Sequence, residues 1–384
     1  MTNQSRSIAS NYDAIVIGAG IYGCMIALHL KNKLNFKHVA ILDKEDTILR
    51  RASSRNQYRV HNGYHYPRSF STANSSHQNY HRFLTEWNEA ITTDQKFIYG
   101  IAKKNTKINS KQFQSFIKRI GSNLHPFDLK EKDIFNTRML DKAFYVDEVT
   151  YNPAKLSQLI YKKLKDHNIE IFLNHKVNAI WRNENKYISV DTIARNCDSI
   201  KFHSGFVINA SYAGINLIKG DISGPRAGIK KELAEITYLK LPSVFFNLGI
   251  TIMDGPFFSI LPTHIEGIHS LTHVKYTPHH SWFKEESSLS TDYYFKKYTK
   301  TNFHLMLRSA SQFIPSLIKA EYQGSVFEIK AILEKHESDD GRPILFETDQ
   351  KVKNVFHILG SKIDNIYDVL DLISNKISNE IDAW

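Results

Sequence analysis

"YDAIVIGAGIYGCMIALHL", Tyr12 to Leu30, is the stretch on which the fold turns. Ala14 to Ile17 form a continuous apolar run suited to a strand buried on both faces of a parallel sheet. Gly18, Gly20 and Gly23 then fill all three glycine positions of GxGxxG. Gly18 permits the tight turn, Gly20 lets backbone approach a pyrophosphate, and Gly23 lets the following helix pack close against the strand. That helix, expected over about residues 21–34, carries Met25, Ile26, Leu28 and Leu30 and aims its partly positive N-terminus at the phosphates. A second strand, "HVAILDK", ends in Asp43 and Lys44, with Asp43 placed 20 residues after Gly23. A carboxylate there can accept both ribose hydroxyls of an adenosine. The glycine motif alone is weak; strand, motif, helix, strand and terminal acid in this order specify a dinucleotide site.

The fingerprint fits NAD and FAD equally. A separate nicotinamide site requires a second glycine-rich strand-to-helix turn, and the rest of the chain offers only isolated pairs such as "SGPRAG" and "GSK". One dinucleotide site is therefore expected.

A chain of 384 residues exceeds the usual single core, so two lobes are expected. Its 42% hydrophobic content supplies packed cores, yet no run approaches a membrane span. The first ten residues lack the apolar region of a secretory signal, which makes a soluble, cytoplasmic protein the default expectation. Cys24 and Cys197 belong to no CxxC or Cys/His zinc spacing, so neither disulfide nor structural zinc is expected. Fifty Lys and Arg against 39 Asp and Glu give a net charge of +11, which favours anionic partners, either small phosphates and carboxylates or nucleic acid. Runs such as "YKKLKDH", Tyr161 to His167, read as the solvated face of a helix, which weighs against a nucleic-acid footprint.

"RVHNGYHYPRS", Arg59 to Ser69, is too polar to be core. His61 and His65 stand four apart but need a third ligand and lack the HExxH pattern, so no metal is expected. Interleaved aromatic and Arg residues suit base stacking as well. Position decides for the cofactor, because the stretch follows the first βαβ segment, where strand ends meet a dinucleotide.

With these residues in view, the chain resembles the FAD-dependent oxidoreductases of the D-amino-acid oxidase type, a family that includes glycine and sarcosine oxidases, glycerol-3-phosphate dehydrogenase and L-2-hydroxyglutarate dehydrogenase. "YDAIVIGAGIYG" and Asp43 are similar to its cofactor-binding start, and "SSRNQYRVHNGYHYPRS" is similar to its flavin-facing loop, nearest in style to L-2-hydroxyglutarate dehydrogenase. The resemblance implies that Ser54, Arg55 and Asn56 touch the pyrophosphate or ribityl chain and that His61 and Gly63 lie beside the flavin ring. It implies that Val177, in "YNPAKLSQLIYKKLKDHNIEIFLNHKVNAI", holds adenine through its backbone. "FVINASYAG" is similar to the family's small-residue turn, with Tyr212 where glycine is usual. "DGRPILFETDQKVKNVFHILGSKIDNIYDVLDLI" resembles the closing segment, in which Gly360 and Lys362 face the flavin and Arg342 pairs with a substrate acid. A cation or helix N-terminus there would stabilise a reduced flavin.

"AEITYLK", "VFFNLGITI", "PFFSILPT" and "GIHSLTHVKYT" read as strands of a mostly antiparallel sheet. "FKEESSLSTDYYFKKYTKTNFHLMLRSASQFIP" reads as a surface loop leading into a helix. The expected fold is α/β with an α+β second lobe: a Rossmann-like FAD-binding domain assembled from residues 11–90, 145–215 and 325–384, and a mostly antiparallel substrate domain from 91–144 and 216–324. The expected activity is removal of hydride from a CH–OH or CH–NH centre of a small anionic metabolite, a 2-hydroxy acid or amino acid, with electrons passing to oxygen or another acceptor. His61 is the base, polariser or covalent flavin anchor; Arg342 and Lys362 complete the catalytic set, and Tyr64, His65 and Tyr276 are pocket candidates, since Tyr and His join an apolar body to a polar tip. Two other readings stand beside this one: a flavin enzyme of tRNA modification, suggested by the basic charge, and a flavin-binding protein without catalysis, suggested by Tyr212 and Lys362.

Overall fold

The computed structural model describes residues 11–130, 133–183, 187–283, 291–334 and 341–381. The chain divides into two compact units, the first drawing on residues through Ser53, on Ser157–Gly228 and on residues from Arg342, the second on Ser54–Leu156 and Ile229–Gly341. Residues 54–90, 145–156 and 325–334, grouped above with the FAD-binding segments, pack in the second unit, and 216–228 pack in the first.

The first unit is built on β1 (Asn11–Ile17), with β2 (Val39–Leu42) beside it in parallel on one edge and the Ser199–Asn209 strand in parallel on the other. Glu170–Phe172 extends the parallel sheet beyond β2, and Val355–Leu359 extends it beyond Ser199–Asn209. All four residues of β2 and Ala14–Ile17 of β1 are buried, as an apolar run covered on both faces requires. Helix α1 (Ile21–Asn32) crosses from β1 to β2; the chain leaves it at Lys33 and turns at Asn35, whose φ of 58° is one that asparagine tolerates well. The helix Ile366–Ile381 is tied to α1 by His29 Nε2 and Ser374 Oγ, 2.7 Å apart. His175–Arg182, Ile188–Ala194 and the first half of Ser199–Asn209 form the antiparallel meander that alternation suggests.

The second unit is a mostly antiparallel sheet of nine strands among the described residues, with one parallel pairing, Lys96–Ala102 against Leu248–Met253. Period-two alternation gives it two apolar faces. On one, Phe97, Tyr99 and Ile101 pack with Tyr64 and Tyr66 of the expected flavin-facing loop and with Phe113 and Ile117. On the other, Ile98, Ile250 and Ile260 pack with Phe303, Met306 and Leu307. The helix Ser110–Ile120, which supplies Phe113 and Ile117, starts in a capping box of Asn109 and Gln112 and stops at Gly121, φ 84°. A three-stranded ladder joins Arg59–Val60 and Ile91–Thr92 to Val149–Tyr151.

Of the expected loop-then-helix stretch from 283 to 315, residues 284–290 lie outside the described residues, as do the first ten residues and Asp340; the helices are Thr291–Tyr298 and Phe303–Ala310. Among the described residues, no helix is long and apolar enough to cross a membrane. The architecture is the mixed α/β fold expected, comprising a parallel-stranded unit with an antiparallel meander and a unit dominated by an antiparallel sheet.

Candidate functional site

In the first unit the glycine turn has no room for side chains at two of its three glycines. A Cβ on Gly18, whose φ is 106°, would lie 2.7 Å from the Ala210 carbonyl oxygen, and one on Gly23 would lie 1.7 Å from the Gly18 carbonyl oxygen. On Gly20 it would meet only the Ser53 hydroxyl, at 3.3 Å, and that hydroxyl accepts the Ile21 N–H at 3.0 Å. The turn therefore presents bare backbone at a helix N-terminus, the surface an anionic pyrophosphate requires.

Asp43 closes the cradle. Its Oδ2 accepts the Ala19 N–H and its Oδ1 accepts the Glu45 N–H at 2.8 Å. Burial raises its pKa above the ordinary aspartate value, against the opposing pull of those two N–H donors. Neighbouring Lys44 is exposed and pairs with Glu45 at 3.9 Å. Val177 pairs with Thr192 at the last position before the ladder between His175–Arg182 and Ile188–Ala194 slips register at Asn178. Bare turn, carboxylate and irregular strand together fit the adenosine diphosphate half of FAD.

The C-terminal turn is built against α1. Tyr22, between two of the motif glycines, donates its hydroxyl to the Lys362 carbonyl at 2.7 Å, and a Cβ on Gly360 would lie 2.0 Å from that hydroxyl. Gly360 is thus required by Tyr22, a partnership that the variable position of the motif did not announce. Lys362 is buried and its ammonium pairs with buried Asp364 at 3.1 Å. Arg342 is half-buried, three residues ahead of the strand Leu345–Thr348. Tyr212 takes φ 52°, the left-handed conformation that glycine adopts freely, so the turn keeps its backbone course despite the side chain.

The remaining expected residues lie in the second unit. The Ser54 carbonyl accepts the Tyr58 hydroxyl at 3.2 Å, Arg55 pairs with Glu328 at 3.6 Å, and Asn56 accepts the Tyr58 N–H at 2.6 Å. Gly63, φ 88°, could carry no Cβ without meeting the Ala73 carbonyl oxygen and Ile120, each at 2.7 Å. Tyr64 is wholly buried and donates to the Asn123 carbonyl at 2.7 Å, which makes it part of the loop's packing. His61 and His65 come together with ring centroids 5.1 Å apart, and Tyr66 packs at 5.2 Å from the His61 ring. Tyr276 goes elsewhere: it packs on the opposite face of the sheet, 4.6 Å from the His273 ring.

Beneath the two histidines lies a buried ionic network that sequence reasoning missed. Glu148 Oε1 stands 3.4 Å from His61 Nδ1 and accepts the Asn62 N–H at 3.4 Å. Its Oε2 accepts the Tyr99 hydroxyl at 2.8 Å and pairs with Arg59 at 3.6 Å. Arg59 donates to the Tyr99 hydroxyl at 2.6 Å, to Thr251 Oγ1 at 2.8 Å and to His65 Nδ1 at 3.3 Å. Burial alone would raise the Glu148 pKa, but Arg59, then His61 and Tyr99, hold it below the ordinary glutamate value. A weak sequence signal existed: the acid in "YVDEVTY" interrupts two apolar strands.

The family described as FAD dependent oxidoreductase (DAO) matches residues 13–362. Among curated proteins, the chain is 25% identical over 263 residues to the FAD-dependent monooxygenase FPY4 of Fusarium mangiferae, covering 68% of this chain and 64% of that one. It is 28% identical over 233 residues to the malate:quinone oxidoreductase of Helicobacter pylori, covering 54% of this chain and 50% of that one. The chain thus spans between half and two thirds of the length of these relatives. Among solved structures, glycine oxidase from Geobacillus kaustophilus superposes with a TM-score of 0.69 at 16% identity, covering 96% of this chain and 95% of that one, a likeness of fold.

Proposed function

This chain belongs to the DAO family of FAD-dependent oxidoreductases, with FAD as its cofactor, and we propose that it oxidises a CH–OH or CH–NH centre of a small anionic metabolite with His61 as proton acceptor. FAD, when bound, supplies a two-electron acceptor for the hydride leaving carbon. The residues of this chain do the rest. Gly18, its N–H held by the Leu42 carbonyl, makes the tight turn, Gly20 lets backbone approach the pyrophosphate and Gly23 lets α1 pack close, while Asp43 takes the ribose hydroxyls and the Val177 backbone reads the adenine. Ser54, Arg55, Asn56 and Gly63 are assigned to the ribityl and flavin side. Lys362 is matched in charge by Asp364, so its turn is assigned to the cofactor as a rigid lead into the helix Ile366–Ile381.

The substrate loses a proton from its hydroxyl or amine to His61 as the carbon becomes C=O or C=N. Arg342 is assigned as the partner of a substrate carboxylate, since a guanidinium offers paired donors. The net charge of +11 favours such an anion. Malate, named for one relative, is a 2-hydroxy acid and glycine, named for one structural neighbour, is an amino acid; both bear the oxidisable heteroatom beside a carboxylate. The loop's likeness to L-2-hydroxyglutarate dehydrogenase inclines the choice to 2-hydroxy acids.

The observation that carries this reading is His61 standing with Nδ1 3.4 Å from a buried carboxylate, an electrostatic neighbour though not a hydrogen-bond partner. The test is anaerobic bleaching of the flavin band, at about 450 nm, across a panel of 2-hydroxy acids and amino acids. We expect bleaching by a 2-hydroxy acid, slowed about 10²- to 10⁴-fold in His61→Gln with flavin retained. A panel without bleaching, or a variant as fast as the parent, would refute it.

A further inference from the structure

A chain of polar side chains in the first unit runs from Asp349 to the turn behind the glycine motif. Register sets it up: Asn209 lies opposite His357 of the Val355–Leu359 strand on one side and opposite Ile17, the residue before Gly18, on the other. Asn209 and His357 are wholly buried. His357 Nε2 stands 3.0 Å from Asp349 Oδ2, and its Nδ1 stands 3.3 Å from the Asn209 amide nitrogen. That nitrogen also donates to the Ile215 carbonyl at 2.8 Å. Asn209 Oδ1 accepts the Ser211 hydroxyl at 2.6 Å and the Ser211 N–H at 3.3 Å. Asn209 therefore holds the turn at Ser211 and at Ile215, on either side of Tyr212.

Donor and acceptor roles along this chain have one consistent solution. A carbonyl only accepts, so it is the Asn209 NH₂ that faces Ile215, and its second N–H points to His357. His357 Nδ1 then accepts, and Nε2 carries the proton given to the Asp349 carboxylate. Asp349 is fixed in turn by N–H groups of Ser223, Gly224, Lys351 and Val352. At the other end, the turn is a wall of the glycine loop. The Ala210 carbonyl oxygen and Ser211 Cα fill the place a Cβ on Gly18 would take, at 2.7 and 3.1 Å, and the Ala210 N–H donates to the Ile17 carbonyl at 2.9 Å. We propose that Asn209 and His357 are positioning residues for the cofactor, an amide–imidazole–carboxylate chain that seats the turn 210–215 against Gly18 and so aligns the pyrophosphate loop.

This rests on the pyrophosphate reading of the glycine turn given above. The chain supplies what the turn's own residues lack. Tyr212 takes φ 52°, a left-handed conformation that a residue with a side chain adopts only where its surroundings hold it there. The bonds from Asn209 to Ser211 and Ile215 bracket that residue, so they do the holding that glycine would make unnecessary. An apolar pair at 209 and 357 would fill the same space without fixing the direction of the turn. Asn209 in turn keeps its orientation through His357, because only a ring with Nδ1 free to accept and Nε2 tied to Asp349 offers the amide a directed acceptor.

The two links of His357 can be cut separately, because an asparagine amide reaches about as far as Nδ1 of a histidine and a glutamine amide about as far as Nε2. His357→Gln keeps a donor for Asp349 and loses the acceptor for Asn209; His357→Asn does the reverse. Each apoprotein is titrated with FAD by flavin fluorescence and melted in parallel. We expect His357→Gln to bind FAD about 10-fold more weakly, as loss of one buried hydrogen bond implies. His357→Asn should stay within about twofold of the parent in FAD affinity, although both variants melt below it. Affinity that follows melting temperature in both variants would reduce the chain to packing and overturn the proposal. Where the variants do not fold, the wild type decides. Long-range proton–nitrogen NMR of ¹⁵N-histidine holoprotein at about pH 8, with His357 assigned through the backbone, should show its proton on Nε2, and a proton on Nδ1 overturns the proposal. Failure of the pyrophosphate reading looks different: a parent apoprotein that takes up no FAD would remove the cofactor role of the whole cradle, this chain included, and leave the tautomer standing.

Discussion

Gly23→Ala is the sharpest perturbation of the cofactor cradle. The new Cβ would sit 1.7 Å from the Gly18 carbonyl oxygen and 2.9 Å from its carbon, both backbone atoms that cannot rotate away. Ordinary contact lies near 3.5 Å, so α1 and the turn must separate locally by about 1.8 Å. A displacement of that size takes the first-turn N–H groups out of line with a pyrophosphate. Charge-assisted hydrogen bonds contribute about 1.5–3 kcal/mol each, and losing even one or two predicts about 3 kcal/mol, or roughly 100-fold, in FAD affinity. Gly20→Ala provides the contrast, because its Cβ would meet only the Ser53 hydroxyl at 3.3 Å, a side chain able to yield. That variant should lose FAD affinity through crowding of the phosphate while its apoprotein melts at the parental temperature. The assay is fluorescence titration of apoprotein with FAD, beside thermal unfolding of each apoprotein. Parental FAD affinity and parental melting in Gly23→Ala would refute the strand-to-helix packing argued here.

Asp349→Asn should flatten the acid limb of stability. Asp349 Oδ2 accepts from Ser223 and Gly224 and contacts His357 Nε2, its Oδ1 accepts from Lys351 and Val352, and although burial opposes ionisation these partners hold its pKa at about 2. A lowered carboxylate pKa stabilises above the unfolded value, near pH 4, and that contribution, roughly 2 kcal/mol, is lost as pH falls towards the folded value. Urea unfolding of both proteins should therefore show a difference that is constant above about pH 5 and shrinks below it; a gap independent of pH would sink the assignment. Gly360→Ala should cost about 2–3 kcal/mol by expelling the Tyr22 ring and breaking its bond to the Lys362 carbonyl. In a Tyr22→Ala background the same change should cost less than half as much, and additivity of the two substitutions would contradict the contact.

What the chain discloses at sequence level is what local chemistry writes. Ala14–Ile17, the three glycines, the helix after them and Asp43 lie within about 30 residues and each obeys a short-range rule, apolar run, turn, cap or strand end. The antiparallel strands of the second unit were legible for the same reason, since alternation and Pro or Gly breaks are local too. The turn at Tyr212 was harder: glycine is the usual signal for a left-handed residue, and a tyrosine held at φ 52° gives none. Tyr276 joins an apolar body to a polar tip, but that chemistry carries no information about which face of a sheet a residue joins.

Glu148 shows where local rules stop. Its place between two apolar strands in "YVDEVTY" is only a weak sign of burial, and its partners Arg59, His61 and Tyr99 come from distant stretches that meet only through strand pairing. The register that seats it depends on Val60 and Val149 finding each other, a choice made by the whole unit. The same reasoning explains why His61 was legible and its role was not. Imidazole in a polar loop beside a dinucleotide motif announces possible proton chemistry, but a base differs from a donor only by which ring nitrogen holds the proton. That difference depends on partners that only the folded ladder brings to each ring.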